Sequence, residues 1–273
     1  MKKKKNKLDL STTMVMGILN LTDNSFYDGS RYNTTEKAMH QARKMIQEGA
    51  EIIDIGAQSS KPGSKEISEG EEWNRLKDVI IKIKSEFKNI LVSVDTYRSD
   101  IAEKSINNGV DIINDISAGD LDKNMISVIA KHKVPYIIMH MQNTPKNMQE
   151  NPKYNNVVDD ITSYFKRKID QLTKQGIEDI IIDPGFGFGK TIEHNYQILN
   201  NLDKFKSFNL PLLIGVSRKS MIYNLLKVNP DSALNGTTVA NTISLTKGAN
   251  ILRVHDVKEA VECIKIINFA QNK

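Results

Sequence analysis

The chain has 273 residues and a single cysteine, Cys263, which excludes an intrachain disulfide and any thiolate cluster for zinc or iron–sulfur. Hydrophobic residues make up 39%, enough for a sizeable core, while the longest apolar stretches, such as 210–216, fall far short of the ~20 residues that span a bilayer. The net charge of +5 belongs to one end: Lys2, Lys3, Lys4, Lys5 and Lys7 stand without acids, and the rest carries 33 charges of each sign. A basic body that tracks nucleic acid is therefore not expected. Residues 1–13 read as a basic, flexible tail with no secretory signal after it, and the expected protein is soluble and cytoplasmic.

Beyond the tail, short β-branched or aliphatic runs alternate with amphipathic stretches. The first run, 14–20, precedes a helical pattern over 35–49, with Ala38, Ala42, Met45 and Ile46 on one face and Gly49 as its stop. Runs over 51–56, 90–95, 110–115 and 134–140 follow. A helical pattern over 156–176 leads into 178–183, where Ile180, Ile181 and Ile182 give the continuous apolar content of a strand buried on both faces. A run over 210–216, a helical pattern over 232–248, a run over 250–255 and a last helix through Val257, Ala260, Val261, Ile264 and Ile267 complete the chain. Eight strands alternating with helices, with no linker and no repeat, predict one α/β domain over 14–273, a (β/α)8 TIM barrel. The strand ends are polar in turn: Asn20, Asp54, Asp95, Asn114 with Asp115, His140, Asp183, Ser217 with Lys219, and Arg253 with His255. In such a barrel the active site lies at that end.

Several familiar motifs fail on spacing. The stretch from Gly185 to Thr191 follows a strand, yet only three residues separate Gly185 from Gly189-Lys190, where a phosphate loop needs four. Ser217 lacks the second glycine of a nucleophile elbow, and no His-Glu-x-x-His occurs. His132 and His194 read as surface residues, and Trp73 and Cys263 as packing residues.

Taken together, other segments carry a resemblance. They are Met16-Gly17-Ile18-Leu19-Asn20 with Ser25-Phe26-Tyr27-Asp28-Gly29, Ile53-Asp54-Ile55-Gly56, Ser59-Ser60-Lys61-Pro62-Gly63, Ser93-Val94-Asp95-Thr96 and Ile113-Asn114-Asp115. Later come Met139-His140-Met141-Gln142, Asp183-Pro184-Gly185 through Lys190, Ser217-Arg218-Lys219-Ser220 and Arg253-Val254-His255-Asp256. In order and spacing the chain from about Met14 onward resembles the bacterial dihydropteroate synthase family.

The resemblance implies condensation of 6-hydroxymethyl-7,8-dihydropterin diphosphate with 4-aminobenzoate to 7,8-dihydropteroate and pyrophosphate, in folate synthesis. It also implies Mg²⁺, a homodimer and sensitivity to sulfonamides. Carried over residue by residue, Asp95, Asn114, Asp183 and Lys219 hold the pterin, whose edge is rich in N–H donors. Asn20, Arg253 and His255 take the diphosphate, with Asn20 as the metal ligand; Lys219, Arg253 and Asp95 form the catalytic set. Phe26, Ser60, Lys61, Pro62, Phe188 and Ser220 belong to the 4-aminobenzoate site and its loops, alongside Lys219.

The two loops depart from the family's pattern. Thr22-Asp23-Asn24-Ser25-Phe26 stands for Thr-Pro-Asp-Ser-Phe, and Ala57-Gln58-Ser59-Ser60-Lys61-Pro62-Gly63 for Gly-Glu-Ser-Thr-Arg-Pro-Gly. The first loses a fixed φ and the second a bidentate donor. Two alternatives stay open at this point: a pterin-binding methyltransferase of the methyltetrahydrofolate–corrinoid type, and a non-catalytic pterin-binding homologue.

Overall fold

The computed structural model describes residues 8, 10, 12–22, 31–58 and 66–271, for 31–34 the backbone alone. Eight parallel strands form the sheet: β1 (Met14–Asn20), β2 (Ile52–Gly56), β3 (Leu91–Asp95), β4 (Ile112–Asp115), β5 (Tyr136–Met139), β6 (Ile180–Asp183), β7 (Leu213–Ile214) and β8 (Ile251–Val254). Their order, β6-β5-β4-β3-β2-β1-β8-β7, closes through a bridge between Ile182 and Leu212 into the expected barrel. The seventh strand is the one that differs most from expectation, two residues in place of the run over 210–216. Pro211 has no N–H to donate, though its carbonyl accepts from the Ile182 amide at 2.9 Å. The Asn250 side chain takes the Leu212 amide in place of a strand neighbour.

Helices α1 (Arg31–Gln47), α2 (Glu69–Glu86), α3 (Ser99–Asn107), α4 (Asn124–His132), α5 (Val157–Lys174) and α6 (Ile192–Asn200) cover the strands from outside. Two more, α7 (Ser220–Leu226) and α8 (Leu234–Thr246), lie between β7 and β8, and α9 (Val257–Ala270) ends the fold. Their ends follow from local chemistry. Ser68, Asn156 and Thr191 accept backbone N–H bonds at the starts of α2, α5 and α6. His194, read from sequence as an ordinary surface residue, completes a capping box with Thr191. Trp73 packs against the core and Cys263 is a buried thiol, both as expected.

Two apolar layers hold the barrel. The outward strand faces and the helices form the larger one, with Tyr136, Phe165, Phe186 and Phe205 among its fully buried side chains. The smaller fills the barrel's interior with one residue from each strand: Met16, Ile52, Leu91, Ile112, Ile137, Ile181, Leu213 and Ile251. Full burial of such a side chain contributes roughly 1.5–3 kcal/mol. Leu8 and Leu10, assigned from sequence to the basic tail, pack against this inner layer. Left uncovered, the layer would meet water at the barrel's N-terminal end, so ordered packing begins before Met14.

Candidate active site

Strand alternation converts that apolar floor into a polar layer. Side chains two residues further along each strand face the same interior: Ile18, Asp54, Ser93, Asn114, Met139, Asp183, Gly215 and Arg253. The longer strands β1, β2 and β3 add Asn20, Gly56 and Asp95. The same alternation turns Asp115 and His140 outward, away from the pocket. Asp115 accepts from the Ser117 amide and hydroxyl, the Gly119 amide and the Tyr136 hydroxyl, all within 2.8 Å, and anchors the β4–α4 turn. The His140 ring lies 3.1 Å from Lys190 Nζ, and burial together with that neighbour pushes its pKa down to about 2. Neither contributes a group to the pocket, although both stand at strand ends.

Arg253 binds the polar layer together. Its Nε donates to Asp54 Oδ2 at 2.6 Å and its Nη2 to Asp95 Oδ2 at 2.9 Å. Asp54 Oδ2 also accepts from Asn114 Nδ2 at 3.1 Å. Burial pushes the Asp95 carboxyl up to about 7, with Arg253 pulling the other way and Asp54 adding repulsion. Asp183 is likewise raised by burial, against the pull of Lys219, and its Oδ1 accepts from the Gly185 amide at 2.7 Å. Lys219 is lowered to about 8 by burial, which the attraction of Asp183 only partly offsets. Its ammonium donates to the Phe186 carbonyl and stands 4.8 Å from the centre of the Phe188 ring. The pocket thus places buried carboxylate and amide acceptors beside one ammonium donor.

Of the remaining expected residues, Ser220 opens α7, and His255 is exposed just past β8, its amide donating to Ser217 Oγ at 3.2 Å. The closed barrel makes β1 and β8 neighbours, but their register pairs Arg253 with Met16, four residues short of Asn20. Asn20 stands instead at Gly56, where a Cβ would come within 3.7 Å of its Oδ1 and 3.4 Å of Asp95 Cβ. Gly56 thus separates it from Asp95, the carboxylate that holds Arg253. Phe26, Ser60, Lys61 and Pro62 lie outside the described residues.

Three groups to which the sequence reading gave no role, Asp54 among them though it stood with the polar strand ends, support the site. Arg218 forks onto Asp256 at 2.9 and 2.7 Å and donates to the carbonyls of Pro230 and Asp231, tying the loop that carries Lys219 to the turn after β8. Lys190, fully buried, faces the carbonyls of His140, Gly185 and Phe188, and so holds the β6–α6 loop. Asp54 gathers Arg253 and Asn114. Each sits within a quoted motif, but its partner lies across the barrel or on another loop, and only the fold pairs them.

A carboxylate-rich pocket at the C-terminal mouth of a barrel, with one lysine among the acceptors, suits a flat heterocycle bearing N–H donors. The chain belongs to the pterin binding enzyme family, whose pattern residues 16–255 match. Within that family it is similar to dihydropteroate synthases. It is 44% identical over 262 residues to the dihydropteroate synthase of Escherichia coli, covering 95% of this chain and 92% of that one. It is 41% identical over 261 residues to that of Haemophilus influenzae, covering 95% and 94%. The crystal structure of the Yersinia pestis dihydropteroate synthase in a sulfonamide drug complex superposes with a TM-score of 0.93 at 40% identity, covering 99% of this chain and 98% of that one. The Xanthomonas albilineans enzyme with 4-aminobenzoic acid gives 0.91 at 32% identity, covering 97% and 96%.

Proposed function

We propose that this chain catalyses the dihydropteroate synthase reaction. The C–O bond between the pterin's 6-methylene and the diphosphate breaks, its electron pair leaving with pyrophosphate. A C–N bond forms from that methylene to the amine of 4-aminobenzoate, which gives up a proton. Asp95, Asp183 and the amide oxygen of Asn114 accept the pterin's N–H groups, and Lys219 donates to its ring acceptors. Arg253 and His255 take the diphosphate. Phe188 and Ser220, with Phe26, Ser60, Lys61 and Pro62 from the two loops, receive the aminobenzoate, its ring on apolar surface and its carboxylate at a hydroxyl. An aromatic amine is already neutral, so no strong base is needed. The observation that supports this reading is the grouping of Asn114 and Asp183 in the polar layer with Asp95 one step above it and Lys219 close enough to be attracted by both carboxylates.

With the diphosphate bound, Mg²⁺ would be held here by Asn20 together with phosphate oxygens. A hard cation of this kind keeps several waters and takes one or two protein oxygens plus phosphate, and Asn20 offers one amide oxygen across Gly56 from Asp95. Among the described residues no group of three His, Cys, Asp or Glu is placed to hold a metal, so a site built from protein alone is not the better fit. When bound, Mg²⁺ neutralises charge developing on the departing diphosphate.

A homodimer in the cytoplasm belongs to the same reading. Leu225, Leu226, Val228, Val239, Ile266 and Phe269 leave large apolar side chains exposed on and beside the last three helices, which supports a covered face there. Among the described residues no helix is long and apolar enough to cross a membrane. The deciding experiment incubates the chain with both substrates and Mg²⁺ and measures pyrophosphate. Release that needs both substrates and falls in excess chelator supports the proposal. Binding of the pterin without turnover would instead mark a non-catalytic homologue.

A further inference from the structure

We infer that Asp54, to which no substrate contact is assigned above, is a positioning residue that sets the polarity of the pocket toward the pterin. The inference rests on the pterin reading of the site. A guanidinium has donors and no acceptor, so Asp54 Oδ2, 2.6 Å from Arg253 Nε, must act there as an acceptor. The Asn114 side chain approaches that same oxygen at 3.1 Å, and it can only do so with its NH2 end. The orientation of the amide is therefore fixed by chemistry: the NH2 turns to Asp54 and the carbonyl oxygen is the end left for a ligand. Without Asp54 the amide can rotate and offer a donor where the pterin also presents donors.

The surroundings of Asp54 fit this role better than a stabilising one. Its side chain is wholly buried, and Oδ1 has no hydrogen-bond partner. On the registered neighbour in β3, Ser93 Oγ is buried without one as well. A carboxylate half-satisfied in a closed interior is a poor device for stability. Placed between Arg253 and Asn114, it links the expected diphosphate-binding cation to the amide beneath the ring.

The test compares wild-type chain with Asp54→Leu, which keeps the same branched side-chain frame without an acceptor, and Asp54→Asn, which keeps an acceptor oxygen. Calorimetry measures each for 6-hydroxymethylpterin and for the lumazine analogue, whose 2-oxo group and N1–H invert the donor–acceptor pattern of the 2-amino edge, the edge that the inference sets against the Asn114 carbonyl. Wild type should prefer the pterin, and Asp54→Leu should lose about tenfold of that preference, the scale of one buried ligand hydrogen bond turned into a donor–donor contact. Asp54→Asn should restore most of it. A folded Asp54→Leu chain with the wild-type ratio would overturn the inference, because a merely structural role would weaken both ligands alike. If the Leu variant does not fold, the wild-type chain decides through the Asn114 side-chain amide signals after ¹⁵N-asparagine labelling. Protons held by Asp54 keep slow solvent exchange with and without pterin; exchange that slows only when the ligand binds overturns the inference. Wild-type chain that binds neither compound removes the pterin reading itself, a result distinct from a preference that survives substitution at position 54.

Discussion

At the scale of single residues, the pocket's chemistry is set by burial working against charge. Asp95 must be a carboxylate to accept an N–H, and burial holds its pKa at about 7, so this requirement is met only as pH rises through that value. Lys219 must keep its proton to donate, and burial brings its pKa to about 8, so its contribution is lost as pH rises further. Dependence of kcat/KM reports groups of the free enzyme. The pH profile for the pterin diphosphate should therefore be bell-shaped, with its maximum between the two values, and Asp95→Asn should flatten the acid limb. A steady-state series across the range checks both. Asp183→Asn exchanges an acceptor for a donor at the foot of the ring. It should weaken pterin binding by on the order of 1–3 kcal/mol while thermal unfolding stays cooperative; unchanged affinity by calorimetry would remove Asp183 from the site.

Among elements, the loops at the barrel's mouth are held by polar side chains from neighbouring loops. The turn after β6 takes the left-handed conformation at Gly185, where a Cβ would lie 2.0 Å from the His140 carbonyl oxygen, so only glycine fits. Arg218 also takes φ +52°, a conformation that costs a non-glycine residue about 1–2 kcal/mol and is held here by the fork on Asp256. Arg218→Lys removes the paired bonds and should lower stability by about 1–3 kcal/mol. Because the same loop carries Lys219 and Ser220, kcat/KM should fall with it; denaturant titration beside kinetics measures the two. The loop after β2 is tied at its edges: Gln58 Oε1 accepts from the Ile67 amide at 3.0 Å, and Arg98 donates to the Ile67 carbonyl at 2.8 Å. Gln58 thus supplies an acceptor where the family usually has Glu. Between those edges stand Ser60 and Lys61 in place of Thr and Arg. Restoring a stiffer χ1 and a planar fork with Ser60→Thr and Lys61→Arg should lower the KM for 4-aminobenzoate and leave that for the pterin diphosphate nearly constant. An unchanged or higher aminobenzoate KM would mean that Asp23 and Asn24 are adapted to the lysine.

For the molecule as a whole, closure of the sheet gives the interior two ends with different chemistry. The polar end is the pocket. The apolar end is covered by Leu8 and Leu10, whose partial burial corresponds to about 1–3 kcal/mol for the pair. Leu8→Ser with Leu10→Ser should lower the unfolding midpoint accordingly, while pterin affinity, which depends on the opposite end, stays close to wild type. Scanning calorimetry and ligand titration on the same sample separate the two effects.

Much of this could be read along the chain. The strands were legible as short continuous apolar runs, because burial on both faces leaves no polar alternation, and several helices by their 3.6-residue period, because only one face of each is buried. Asp95, Asn114, Asp183 and Lys219 stood among the polar strand ends that a barrel gathers, but the resemblance to the family, not the pattern, set these four apart from the others. The sequence could not say that Asp115 and His140, polar residues at the same ends, face away; that depends on which alternate positions meet the interior once the sheet closes. Nor could it pair Arg253 with Asp54 and Asp95, or Arg218 with Asp256. A charge names its partner only through distance and shared burial. Those bonds join residues as far as 199 positions apart, and the tertiary structure alone brings them within reach.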